Sequence, residues 1–159
     1  MKRLGVEIID MDVKKLVDLL NAALADEWLA YYQYWVGAKI VEGKESRQIA
    51  RELEEHAMEE LKHATKLAER IVKLQGKPIL KPEEWYKKTN CGYEAPLSPE
   101  GKKILQQNIK GEQCAIAIYN GLLKKIKDKD PITYQMIAEI LEEEIQHEFD
   151  LQTLLEEIS

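Results

Sequence analysis

The sequence is poor in phenylalanine and in the residues that build tight turns and disulfide frameworks: its 159 residues include 1 Phe, 8 Gly, 5 Pro and 2 Cys. Two cysteines are too few for a disulfide-rich secreted scaffold, and Cys91 and Cys114 are too far apart for a CxxC zinc or redox motif. The composition, 45% hydrophobic and 33% charged, favours long amphipathic helices over sheet. We therefore expect one all-α domain over residues 1–159.

Long apolar runs and basic clusters are also missing. No stretch approaches the roughly 20 apolar residues that cross a bilayer. The first residues lack the basic-then-apolar layout of a signal peptide. The net charge is −6, and no basic arm or stripe is present to bind phosphates. The sequence thus predicts a cytoplasmic protein that does not bind membranes, and it disfavours nucleic acid as a partner.

Helix signals in the first half of the chain predict an antiparallel hairpin. Asp12 can cap a first helix that runs to about Lys39, and the chain then breaks at Gly43. A second helix is expected from near Ser46 to just before Gly76. The short turn between the two helices makes them antiparallel neighbours.

The second half repeats this organisation. Ser98 is expected to cap a third helix with Pro99 at its first position, running to about Lys127. Asp130 followed by Pro131 gives the same signal for a fourth helix that continues to the end of the chain.

Between the hairpins lie residues 77–97, which contain three prolines and a short predicted helix over 83–88. An extended segment of this length reaches roughly 70 Å, enough to pass a helix of roughly 40 Å. The predicted fold is therefore a four-helix bundle with one long crossover between helices 2 and 3.

Two of the three histidines lie in Glu-X-X-His tetrads, one in each hairpin. Residues i and i+3 share a helix face, so each tetrad presents a carboxylate and an imidazole to the same point. Each hairpin also has one glutamate on the core stripe of its first helix, which is the line of mostly apolar residues expected to face the core. This glutamate comes 33 residues before the tetrad glutamate in one half and 32 in the other. The candidate ligands are Glu27, Glu60, His63, Glu112, Glu144 and His147.

Four carboxylates in a bundle core would each cost several kcal/mol without compensation, whereas two divalent cations would neutralise them. Carboxylates combined with imidazoles suit iron or manganese. We interpret the repeat as a two-metal site. The alternative is that these groups are surface charges or hydrogen-bonded core residues of a helical interaction module.

At these residues the chain resembles the ferritin-like di-iron carboxylate superfamily, and segments 26–34, 60–71 and 136–147 resemble bacterioferritin. The resemblance implies a ferroxidase that binds two iron ions, for which manganese or zinc can substitute, and that uses hydrogen peroxide or dioxygen. It also implies specific ligand roles: terminal ligands Glu27 and Glu112, bridging ligands Glu60 and Glu144, and one metal each for His63 and His147.

Departures from the bacterioferritin pattern limit which members of the superfamily the chain can resemble. Leu61 stands where a bacterioferritin has its haem-ligating methionine, so we expect no haem, although Met58 is near. The chain stops about twelve residues after His147, which favours a smaller Dps-like cage over a 24-subunit ferritin. A four-cysteine rubredoxin module is also missing, which argues against a full rubrerythrin. These features imply a homo-oligomeric cage, most simply a dodecamer, that stores ferric iron and protects against oxidative stress.

The cysteines add a second resemblance. One cysteine in the crossover and another two residues after Glu112 resemble the Dps-like proteins called thioferritins, which pair a bacterioferritin-type site with a nearby disulfide. This resemblance implies a Cys91–Cys114 disulfide beside the metal site, with a redox or a bracing role. The alternative is a pair of unrelated buried cysteines, because free Cys packs as a small hydrophobic residue.

Three further residues remain open. His56 lies one turn before Glu60 and is interpreted as supporting the ligands or as an ordinary core histidine, with an extra ligand or proton shuttle as alternatives. Tyr34 and Tyr119 are either hydrogen-bond donors near the metals or packing residues. For the whole chain, the alternative to storage is a non-storage di-metal peroxidase or a manganese catalase of the same superfamily.

Overall fold

The computed structural model describes Met1 and residues 3–159. Its helices, in chain order, are α1 (Leu4–Glu7), α2 (Val13–Ile40), α3 (Ser46–Lys73), α4 (Trp85–Lys88, preceded by the 3₁₀ turn Pro82–Glu84), α5 (Gly101–Ile126) and α6 (Pro131–Ile158). Strands do not occur in the described residues, and the predicted four-helix bundle with one long crossover is confirmed. No helix in this part of the chain combines the length and the apolar composition needed to cross a membrane.

The predicted caps of α2 and α6 are present. Asp12 accepts a hydrogen bond from the Lys14 backbone N–H, at 2.9 Å. Asp130 accepts from the N–H groups of Ile132 and Thr133, both at 3.1 Å, which satisfies two donors that a helix start leaves free. The Thr133 hydroxyl and, at 2.8 Å, the Arg70 guanidinium also donate to Asp130. Burial raises the pKa of that carboxyl, but these hydrogen bonds together hold it below its usual value.

The predicted start of α5 is wrong by about two residues. Glu100, not Ser98, is the residue before the helix, and Pro99 is outside it. The Pro99 carbonyl accepts a hydrogen bond from Glu42 N–H at 2.9 Å, which ties the end of the crossover to the α2–α3 turn. Gly101 then packs so closely on Ile49 that an added Cβ would lie 2.5 Å from its Cδ1. Tertiary contacts with the first hairpin therefore fix this boundary, and the four-residue α1 was likewise not predicted.

The apolar core is divided into two clusters by a polar layer. One cluster lies towards the N-terminal end of α2 and includes Leu20, Leu67 and Ile137. The other lies towards the C-terminal end of α2 and includes Leu53 and Leu151. The layer between them consists of the candidate ligands, so the folded bundle holds buried charge at its centre, where a continuous apolar core would be more stable.

The crossover lies along α2 and is fixed there by side chains. The Asn21 amide donates to the Lys77 carbonyl and accepts from the Ile79 N–H, both at 3.0 Å. Further along, Asp26 accepts hydrogen bonds from the N–H groups of Asn90 and Cys91, at 2.8 and 3.0 Å. The crossover segment beside Glu27 therefore has a defined position.

Candidate metal centre

Each of the four long helices places a glutamate in the polar layer, and α3 and α6 each add a histidine one turn later. All six side chains are buried, and none is more than 4% exposed. They converge because each lies on the core stripe of its helix, where the i, i+3 spacing puts the two members of a tetrad on one face. The structure therefore brings together all the predicted ligands, which are Glu27, Glu60, His63, Glu112, Glu144 and His147.

The ligand atoms form two groups that share the tetrad glutamates. Glu27 and His63 belong to one group, Glu112 and His147 to the other, and Glu60 and Glu144 belong to both. Within each group the candidate ligand atoms lie within 4.8 Å of one another. Two cation positions with two common carboxylates are the arrangement of a bridged di-metal site.

Unpartnered buried atoms provide a test of whether these residues suit metal ions. Among the described residues, six buried side-chain atoms have no hydrogen-bond partner: Glu27 Oε2, Glu60 Oε1, His63 Nδ1, both Glu144 carboxylate oxygens and His147 Nδ1. All of them belong to the candidate ligands. A buried polar atom without a partner costs about 1–3 kcal/mol, so such a concentration calls for a ligand. Carboxylate oxygens and imidazole nitrogens fit divalent iron or manganese.

Both histidines direct Nδ1 towards the carboxylates. The Nδ1 of His63 lies 3.3–3.5 Å from oxygens of Glu27, Glu60 and Glu144. The Nδ1 of His147 lies 3.0–3.5 Å from oxygens of Glu60, Glu112 and Glu144. A neutral imidazole in this orientation presents a lone pair to the centre of each group.

Two carboxylates that the sequence analysis missed hold these imidazoles from behind. The Nε2 of His63 contacts Glu143 Oε2 at 2.7 Å, and the Nε2 of His147 contacts Glu59. Each carboxylate comes from the helix opposite its histidine and is partly exposed. A carboxylate on Nε2–H fixes the tautomer that leaves Nδ1 free to bind a metal. The available signal was the extended motif Glu-Glu-X-X-His, which occurs twice.

The tyrosines also form a crossed pair. Tyr34 donates to Glu112, and Tyr119 donates to Glu27, so each hydroxyl holds the single glutamate of the other hairpin. Both rings are 2% exposed. Burial and then the facing carboxylate raise the pKa of each phenol well above its usual value, so both remain protonated donors. Of the two alternatives for these residues, the structure favours hydrogen-bond donors.

Without cations, protons neutralise part of the carboxylate cluster. Burial and the neighbouring Glu27 raise the pKa of Glu60 to about 8, and burial with Glu60 raises the pKa of Glu144. Burial alone would also raise the pKa of Glu27, but the neighbouring Glu60 and His63 lower it to about 2. For His63 and His147, burial opposes the charged form, but the facing carboxylates raise the pKa of both. Metal binding at this site must therefore release protons.

A cavity of about 390 Å³ connects the candidate site with the face of α2 and α5 that the crossover covers. Glu27 and Glu112 line one part of it, and Cys91 with Cys114 line another. These cysteines form a disulfide with a Cα–Cα distance of 6.0 Å, which confirms the predicted pairing. The wall also includes Gly111, where an added Cβ would meet no atom within 4 Å. The disulfide and the candidate ligands therefore line the same cavity.

Comparisons with known proteins agree with the fold. A family model of the ferritin-like domain matches residues 17–159. The chain is 32% identical over 151 residues to the DNA protection during starvation protein of Pyrococcus furiosus, covering 94% of this chain and 82% of that protein. It is 31% identical over 146 residues to a Brucella melitensis bacterioferritin, covering 89% and 83%.

Among solved structures, the chain is similar to a bacterioferritin-related protein from Bacteroides fragilis that is described as a dodecameric thioferritin. The TM-score is 0.94 and the identity is 45%, over 96% of this chain and 92% of that chain. The expected resemblance to bacterioferritin-type and Dps-like proteins is confirmed by these matches.

Proposed function

On the premise that this chain belongs to the ferritin-like family, we propose that it oxidises Fe(II) at an intrasubunit two-metal site and stores the ferric product in a shell built from copies of itself. Hydrogen peroxide is the proposed oxidant, with dioxygen as the alternative. The observation that carries the proposal is the set of six buried, unpartnered ligand atoms in two groups that share Glu60 and Glu144. Two Fe(II) ions bound there would each supply one of the two electrons that reduce a peroxide molecule.

The residues have separate roles in this proposal. Glu60 and Glu144 would bridge the two cation positions, because each belongs to both groups of candidate ligands. Glu27 and Glu112 bind one position each, and the tyrosine hydroxyls restrict how those carboxylates can turn. The histidines bind through Nδ1. Iron and manganese fit the same ligands, and we propose iron as the physiological metal and no haem, since Leu61 offers no ligand.

Large apolar side chains on the surface support the storage part of the proposal. Several are more than half exposed in the single chain, and burying such side chains between subunits would stabilise an assembly. They include Leu80 at 76%, Tyr86 at 65%, Leu97 at 93%, Ile132 at 54% and Phe149 at 63%. Together with the similarity to a protein described as a dodecamer, they support a homo-oligomer, for which we propose twelve subunits.

Replacing a bridging ligand tests the site directly. Glu60→Ala and Glu144→Ala should each reduce Fe(II) oxidation by peroxide to the rate of the buffer, because a shared carboxylate serves both metal positions. The helical fold should remain, since the metal-free bundle loses only one of the carboxyls crowded at its centre. Glu55→Ala is the matched control for Glu60→Ala, because Glu55 lies on the same helix as Glu60 and is exposed. Stopped-flow oxidation at the wild-type rate in either bridging variant would reject the proposed site.

The alternative of a non-storage peroxidase makes a different prediction. The cavity that joins the disulfide to the carboxylates is the observation that favours it, because a reductant could act through the same opening. A peroxidase would consume peroxide over many cycles and leave no iron with the protein. Iron that remains with the oligomer after gel filtration favours storage.

A further inference from the structure

The internal repeat of the two hairpins is broken beside the candidate metal centre. When the two hairpins are aligned so that Glu60 matches Glu144, three polar residues beside the centre match residues of a different kind in the other hairpin. The pairs are Glu52 with Met136, His56 with Ile140, and Asp150 with Lys66. The metal ligands, their tyrosines and their supporting carboxylates are all duplicated, whereas this cluster occurs once.

The cluster has the geometry of a cation site. His56 is 3% exposed, and its Nε2 lies 3.1 Å from Glu52 Oε1 and 3.9 Å from Asp150 Oδ2. The candidate ligand atoms of these three residues lie within 4.8 Å of one another. The His56 ring stacks on His147 with the ring centroids 4.2 Å apart, so the cluster adjoins one half of the two-metal site.

Counting hydrogen-bond donors shows what His56 offers to the cluster. Tyr34 has one hydroxyl proton, and it donates that proton to Glu112. His56 Nδ1 lies 3.4 Å from the Tyr34 oxygen, so the hydrogen bond between them requires that Nδ1 carry the proton. In the neutral ring this leaves a lone pair on Nε2, and that lone pair faces carboxylate oxygens. A cation bound between them would be held by all three side chains, whereas without a cation a proton must join Nε2 to Glu52.

We propose that His56 Nε2, Glu52 and Asp150 form a third cation site that binds a divalent transition-metal ion. One imidazole nitrogen and two carboxylates suit Fe(II), Mn(II) or Zn(II), with water completing the coordination. Glu52 and Asp150 have side chains that are 29% and 36% exposed, so ions reach the site from solvent. This inference rests on the proposed function, because the bound ion would lie next to His147 and could pass from there to the two-metal site.

A rival arrangement uses the same histidine. His56, Glu112 and His147 also have candidate ligand atoms within 4.8 Å of one another, so His56 could be an additional ligand of the two-metal site. The contact between Nδ1 and the Tyr34 hydroxyl argues against this, because that hydroxyl donates to Glu112 and so occupies Nδ1 on the side of Glu112. The nitrogen of His56 that contacts metal therefore distinguishes the two arrangements.

Zinc is a suitable crystallographic probe because it suits the same ligands and does not change oxidation state. Crystals of the full-length protein soaked in Zn(II) should show three anomalous peaks per chain, the third on His56 Nε2 with Glu52 and Asp150. Two peaks on the proposed ligands and none on His56 would overturn the third site and leave the proposed function intact. A His56 bond through Nδ1 would also overturn it. Absence of all peaks would reject both the inference and the proposed function.

Calorimetry with matched variants provides the second measurement. Wild-type protein titrated with Zn(II) should bind three ions per chain, whereas Asp150→Asn, Glu52→Gln and His56→Ile should each bind two. His56→Ile introduces the residue that the other half has at the equivalent position. Glu55→Gln is the control, because it removes an equal charge from the same helix without changing the cluster, and it should retain three. Loss of one ion in this control, or three ions in Asp150→Asn, would overturn the proposal.

Discussion

At the scale of residues, the candidate metal centre depends on carboxylates beyond those that touch the cation positions. Glu59 and Glu143 contact the outer nitrogens of His147 and His63, each across the α3–α6 interface. They fix the imidazole orientation that directs Nδ1 inwards. Sequence reasoning found the six ligands because they repeat on core stripes, but it missed this pair because a partly exposed glutamate resembles any helix-surface charge.

Glu143→Gln tests that positioning role. The amide keeps the size of the side chain but removes the charge that favours a donating Nε2–H on His63, so Zn(II) or Fe(II) affinity should fall by about 10–100-fold. Glu142→Gln is the matched control, because Glu142 is the exposed neighbour on the same helix and should keep wild-type affinity. Metal titration of both variants measures the difference. Equal affinities would show that Glu143 does not position the imidazole.

At the scale of elements, the four long helices were predictable because their apolar periodicity and their caps agree. Asp12 and Asp130 act as predicted. The start of α5 was not predictable, since the Pro99–Glu42 hydrogen bond and the contact of Gly101 with Ile49 link residues far apart in sequence. The path of the crossover was not predictable for the same reason.

The disulfide is the covalent part of that crossover attachment. It closes a loop with a sequence separation of 23 residues, and removing it costs about 3 kcal/mol in the chain-entropy model. Cys91→Ser should therefore lower the melting temperature, and adding reductant to the wild type should have the same effect. The double variant Cys91→Ser, Cys114→Ser is the control, because reductant should not lower its melting temperature further. Equal melting temperatures for oxidised and reduced wild type would contradict the bracing role.

At the scale of the whole molecule, the buried carboxylates link stability to pH. Glu60 has a folded pKa of about 8 against an ordinary value of 4.5, and the pKa values of Glu144, His63 and His147 are also raised. The metal-free folded state therefore binds more protons than the unfolded chain between about pH 4.5 and pH 8, and its stability falls as pH rises through that range.

Calorimetric melting in a chelating buffer measures this dependence. The melting temperature of the metal-free protein should fall by about 5 °C or more between pH 5 and pH 8. With Zn(II) or Mn(II) present the stabilisation by metal should increase over the same range, because metal displaces the protons that the cluster retains. A metal-free melting temperature that rises with pH would contradict the buried, proton-sharing cluster.

The central claim is that one particle both oxidises iron and retains it. The most direct measurement loads metal-free protein with Fe(II) and peroxide in excess of two ions per chain, then determines particle mass and iron content together by analytical ultracentrifugation with elemental analysis. We expect a particle of twelve subunits that carries ferric iron well beyond two ions per chain, and an iron-poor particle for Glu60→Ala. A monomer or dimer, or a particle with no more than two iron ions per chain, would contradict it.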